Sequence, residues 1–186
     1  LRKATMSTQA RKSILLVEDE VLVALAEAQT IEGFGYHALV AKSGERAVEI
    51  ATGNERPDLI LMDIDLGKGI SGPEAAAAIL LKTTIPIVFL TSHSERDLVE
   101  KVRGITRYGY VIKNSGDFVL QSSIEMAFEL FEANMKQTNE LVMRRKIEDE
   151  LTAREKVLLE AEIVAGLGSY VLDLRTGVWK SSTMLD

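Results

Sequence analysis

The chain has 186 residues, 46% of them apolar, which is enough for one domain of ordinary size with its own core plus a substantial further segment. Its 28 acidic and 22 basic residues leave a net charge of −6, which gives no general attraction to nucleic acid; the absence of cysteine excludes disulfides and thiolate metal sites and fits a reducing, cytoplasmic setting. No apolar run approaches the ~18 to 20 residues of a membrane span, and the N-terminus lacks the apolar stretch of a secretory signal.

Residues 1–11 read as a tag or a disordered N-terminus, with Met6 as the natural start. Ile14 to Val17 is an apolar run with the length of a buried strand. Glu20 to Glu32 follows as an amphipathic helix with Leu22, Leu25, Ala28 and Ile31 on its apolar face and Gly33 as its stop. Tyr36 to Val40 is a short strand, and Ser43 is a good N-cap for a helix to about Thr52. Leu59 to Met62 is the next strand, Gly67 to Gly72 a loop, and Pro73 suits the first turn of a helix running to about Leu81. Pro86 opens a strand at Ile87 to Leu90, Glu95 to Ile105 is helical, and Tyr108 to Ile112 is the fifth strand. Strands that alternate with helices in this way predict parallel βαβ units with both faces of the sheet covered.

No glycine or proline occurs between Asp117 and Ala165, so one helix of roughly 49 residues, about 74 Å, is expected there. Its apolar positions fall into two registers, Ile124 to Val142 and Ile147 to Ala165, that do not join. A coiled coil through this helix would have a discontinuity near Val142 to Ile147. The tail returns to a strand at Tyr170 to Leu172 and a turn at Thr176-Gly177, and its 20 or so residues cannot bury a core alone.

Four strands end in groups suited to phosphoryl oxygens or a metal ion. They are Glu18-Asp19, Asp63, Thr91-Ser92 and Lys113. Singly, each has an ordinary explanation: negative charge at a helix N-terminus, a turn residue, a local cap or a solvated cation. Jointly, in an open parallel sheet, they converge on the crevice at the carboxyl ends of the strands. Glu18, Asp19 and Asp63 supply the oxygens that Mg²⁺ prefers, while Thr91 and Lys113 suit the remaining oxygens of a phosphoryl group.

The runs ILLVEDE, DLILMDIDL, an SG before a helix, IPIVFLTS and YGYVIK occur in the order and at the spacing of a receiver domain of two-component signalling, which residues 12–131 resemble. The resemblance implies a flavodoxin-like (βα)5 doubly wound parallel sheet in the order 2-1-3-4-5. By it, Asp63 is the phosphoacceptor in a self-catalysed transfer and hydrolysis. Asp19 and Asp63 are direct Mg²⁺ ligands, Glu18 supports through water, and the backbone carbonyl of Asp65 completes the set. Thr91 follows the phosphoryl group, Lys113 pairs with it, and Tyr110 is the switch aromatic. The implied partner is a phosphodonor histidine kinase or phosphotransfer protein. One position departs from the family pattern: a cis proline usually follows the lysine, and Asn114 stands here, where a cis bond costs ~2.5 to 4 kcal/mol.

AEIVAGLGSYVLDLRTGVWKSS resembles the first strands of a PAS sensor domain. Residues 132–165 are then a coiled-coil signalling helix, residues 117–165 the seam of a parallel homodimer, and 166–186 a truncated PAS start. That order resembles sensor histidine kinases with an input receiver. Of the two histidines, His37 falls on the second strand and His93 in a loop, and neither is expected to be a ligand. Two alternatives remain open at the level of sequence. Asp63-Ile64-Asp65 resembles the Asp-x-Asp of haloacid-dehalogenase phosphatases, although their nucleophile lies on the first strand, and the chain could also be a structural dimeriser with an inert receiver.

Overall fold

The apolar runs become strands where they are buried on both faces, and their alternating side chains feed two separate cores. The computed structural model describes residues 11–92, 105, 108–165, 170–173 and 175–181. β1 (Ser13–Val17), β2 (His37–Ala41), β3 (Leu59–Asp63), β4 (Ile87–Thr91) and β5 (Tyr110–Ile112) form one parallel sheet in the order β2-β1-β3-β4-β5. Leu15, Ile60, Met62 and Phe89 point to the face covered by α2 (Gly44–Thr52) and α3 (Gly72–Leu80). Ile14, Leu16, Leu61 and Val88 point to the other, covered by α1 (Val21–Gly33) and the start of α4 (Asp117–Ala165). The sequence-based fold is the one observed, and the expected helix at Glu95 to Ile105 lies outside the described residues apart from Ile105.

Three local expectations are corrected. Leu22 and Leu25 do not face the core: they are 83% and 57% exposed, and α1 buries Ala24 and Ile31 with Ala28 half-buried between them. Both faces satisfy helical spacing because α1 is apolar nearly all round, and the small alanines are the ones that let its backbone approach the sheet. The helix includes Gly33 as its last residue, with Phe34 as its C-cap and Gly35 at φ +91° supplying the left-handed residue that stops it. β5 begins at Tyr110 instead of Tyr108, since Gly109 between them has φ +97°, which breaks the regular extended run.

The first four turns of α4 close the domain. Ile124, Ala127 and Phe128 are buried, Tyr36 packs on Phe128 with ring centroids 5.7 Å apart, and Tyr108 meets Phe131 edge-on at 6.0 Å. Lys12 Nζ lies 4.2 Å from the centre of the Phe128 ring and 2.8 Å from Glu132 Oε1. From Glu132 to Ala161 every helix residue is exposed. The chain divides into two units, one ending at Ala133 and one beginning at Asn134. In the second, β6 (Tyr170–Asp173) and β7 (Val178–Ser181) form an antiparallel hairpin, with Gly177 at φ +67° in its turn. No helix among the described residues is long and apolar enough to cross a membrane.

Candidate functional site

Parallel pairing sets the carboxyl ends of four strands in one row. Val17 pairs with Met62, Asp63 with Leu90, and Thr91 with Ile112, so the residues that follow each strand meet on one rim. The Lys113 amide donates to the Thr91 carbonyl at 2.7 Å, and the Glu18 amide to the Ala41 carbonyl at 3.0 Å, extending the ladder up to the site. Glu18, Asp63 and Thr91 are buried at 0, 5 and 2% exposure.

Lys113 is the hub. Its ammonium donates to Glu18 Oε2 at 2.5 Å and to Asp63 Oδ2 at 2.7 Å. The other oxygens take backbone donors: Glu18 Oε1 accepts from the Glu20 amide at 3.2 Å, and Asp63 Oδ1 from the Asp65 amide at 3.3 Å. Burial pushes the Asp63 carboxyl above its ordinary value against the pull of the Lys113 hydrogen bond, and the neighbouring Glu18 charge adds to the rise. For Lys113, burial works to lower the pKa, but the hydrogen bonds to Asp63 and Glu18 outweigh it and raise the ammonium above its usual value.

Glu18, Asp19 and Asp63 each bring one carboxylate oxygen within 4.8 Å of the others. Three carboxylates faced by one ammonium leave an excess of negative charge at a buried rim. An all-oxygen acidic set of this kind fits a hard divalent cation such as Mg²⁺. The site therefore gathers Glu18, Asp19, Asp63, Thr91 and Lys113. Tyr110 stands on β5 with 45% of its surface exposed, and the Asp65 side chain is exposed while its amide turns in to Asp63. His37 is exposed on β2, and His93 lies outside the described residues.

The loop after β3 is shaped by close approach. Gly72 begins α3 so near the end of β3 that a Cβ there would lie 1.9 Å from the Asp63 carbonyl oxygen, and a Cβ on Gly67, at φ +58°, would lie 2.6 Å from Asp19 Oδ2. A capping box closes the turn: the Ser71 hydroxyl accepts from the Glu74 amide at 3.4 Å, and the Glu74 carboxylate accepts from the Ser71 amide at 2.8 Å. Glu45, on α2, accepts from the Ile70 amide at 2.9 Å, and that bond holds the Glu45 carboxyl below its ordinary range. After Lys113 no peptide bond among the described residues is cis, and Asn114 adopts φ +63°, a left-handed conformation that asparagine tolerates better than most residues.

Sequence reasoning missed one group beside the site. Glu27 of α1 lines a cavity of about 310 Å³ together with Lys113, and its Oε2 is sealed from solvent without a hydrogen-bond partner. A glutamate within the otherwise apolar stretch Val21 to Ala28 was the available signal.

A family model described as response regulator receiver domain matches residues 14–125. Among curated proteins, the transcriptional regulatory protein PdtaR of Mycobacterium tuberculosis is 36% identical over 121 residues, covering 64% of this chain and 58% of the relative. The phyllosphere-induced regulator PhyR of Methylorubrum extorquens is 40% identical over 96 residues, covering 51% and 34%. The chain thus spans between a third and three fifths of the length of these relatives. Among solved structures, the N-terminal domain of a response regulator/sensory box/GGDEF 3-domain protein from Carboxydothermus hydrogenoformans is 47% identical with a TM-score of 0.63, covering 67% of this chain and 99% of that one.

Proposed function

The chain belongs to the response regulator receiver family, and from that premise we propose that Asp63 is its phosphoacceptor, fed by a phosphodonor kinase or phosphotransfer protein. The observation that carries this reading is the convergence of Glu18, Asp19, Asp63 and Lys113 at one buried rim. A carboxylate oxygen of Asp63 attacks the phosphorus, the bond from phosphorus to the donor breaks, and the donor leaves with that electron pair. Lys113, already bonded to Asp63 at 2.7 Å, meets the charge of the incoming phosphoryl oxygens. Thr91, one strand-end away, supplies a hydroxyl to another, and Tyr110, on the strand that leads into Lys113, registers the change. Glu18, Asp19 and Asp63, with the Asp65 carbonyl, would hold Mg²⁺, which neutralises the negative charge that otherwise repels the phosphodonor.

The output side of the proposal is a parallel dimer through residues 117–165 that carries the change to a PAS domain beginning near residue 166, as in a sensor histidine kinase. Two facts support it. The exposed residues Ile147, Leu151 and Leu158 repeat at helical spacing along α4, and a solved relative carries a sensory box in addition to its receiver.

Incubation with a small phosphodonor and Mg²⁺ should add one hydroxylamine-labile phosphoryl group, and Asp63→Asn should abolish it. Unchanged labelling of that variant, or labelling that ignores removal of Mg²⁺, sinks the assignment.

A further inference from the structure

Lys113 holds two of the three carboxylates that would hold a metal ion. Its ammonium sits at 2.5 Å from Glu18 and 2.7 Å from Asp63, and both belong to the set that can share one cation. An ammonium and a divalent cation on the same two carboxylates repel each other, which drives the ammonium away when the cation enters. The Lys113 side chain is only slightly exposed where it now lies, so an ammonium displaced from there needs a new acceptor nearby.

One such acceptor is in place. Glu27 Oε2 is, among the described residues, the one buried side-chain oxygen or nitrogen without a hydrogen-bond partner. The Glu27 residue lines the same cavity as Lys113, and among the described residues that line it Lys113 is the one cation; Thr30, Asn114 and Ser115 are neutral and Asp117 is acidic. The cavity, about 310 Å³, gives a four-carbon side chain room to swing. Glu27 already feels Lys113: burial drives its pKa up, and the Lys113 charge opposes that rise more than any other group does, while Glu18 and Asp63 add to it.

We propose that Glu27 is the second berth of the Lys113 ammonium, which rests on Glu18 and Asp63 while they are free and passes to Glu27 when a divalent cation takes them. The idea rests on the Mg²⁺ reading above, and adds to it a positioning role for a residue on α1. The berth keeps Lys113 beside the rim, ready to return to a phosphoryl oxygen, and offsets the displacement that Mg²⁺ must otherwise bear alone.

Mg²⁺ affinity of the full chain, measured by calorimetry in the wild type, Glu27→Gln, Lys113→Met and the double variant, tests this. Glu27→Gln should weaken Mg²⁺ about fivefold when Lys113 is present, the usual net size of one hydrogen bond, and less than about twofold in the Lys113→Met background. Glu27→Asp, which keeps the charge but shortens the reach, should behave like Glu27→Gln and guards against an effect of folding. If Glu27→Gln costs the same in both backgrounds, Glu27 acts through its field alone and the berth is wrong; if it costs nothing in either, Glu27 plays no part. A wild type that binds no Mg²⁺ at all overturns the metal reading itself and the berth with it.

Discussion

A carboxyl group that loses water without gaining a partner holds on to its proton, and Glu27 does so up to about 7, against an ordinary value of 4.5, with burial as the main cause. The unfolded chain releases this proton near the lower value and the folded chain near the higher one. Between them the folded state carries more protons, so the stability of the fold should fall as pH rises through that window. After a discount for partial exposure the loss is roughly 2 kcal/mol between about pH 5 and about pH 8, and Glu27→Gln should flatten it. Denaturant unfolding at the two pH values checks this, and a slope that survives the substitution assigns the loss to other groups.

At the scale of elements, the turn from β3 into α3 joins two tolerances that mutation can separate. Ser71→Ala removes one half of a capping box and should cost about 1 kcal/mol, with Asp63 left where it is. Gly72→Ala drives a methyl to within 1.9 Å of the Asp63 carbonyl oxygen, so β3 and α3 must part. We expect a cost of about 3 kcal/mol and a loss of labelling at Asp63 well beyond that of Ser71→Ala. Equal effects of the two substitutions in unfolding and labelling assays would show that the close approach does not position Asp63.

The same elements show what a sequence can disclose. β1, β3 and β4 were legible because a strand buried on both faces is a nearly continuous apolar run, and each closes on a polar group at the rim of the sheet. Asp63, Glu18 and Lys113 were legible as a group for the same reason. The buried face of α1 was not, since alanine and leucine spacings fit a helix equally well and only the sheet decides between them. Tyr108 was drawn into β5 because its residue type favours strands, while the φ of Gly109 is a matter of tertiary context. Glu27 acquires its meaning from a cavity closed by residues almost a hundred positions away, which no local pattern encodes.

For the whole molecule, the two units make a separation testable. Among the described residues every buried one of α4 lies at or before Phe128, and Lys12 still reaches Glu132, so a chain ending at Ala133 keeps both cores. It should fold and accept a phosphoryl group as the full chain does, and run as a monomer. The full chain should run as a dimer, and single cysteines along Thr138 to Leu158 should crosslink with a periodicity that shifts on phosphorylation. If both lengths have the same oligomeric state in sedimentation, α4 is not the seam.

Lys113 lies 95 positions from Glu18 and 50 from Asp63, the two carboxylates its ammonium joins. Contacts of such separation form late, because the loops between them must close before the bond returns anything. A chain on the ribosome that has already exposed its aspartates therefore lacks the cation that completes the rim. If Asp63 is the phosphoacceptor, nascent and misfolded copies should accept no phosphoryl group until the last strand has docked, which labelling of a chain ending before Tyr110 would check.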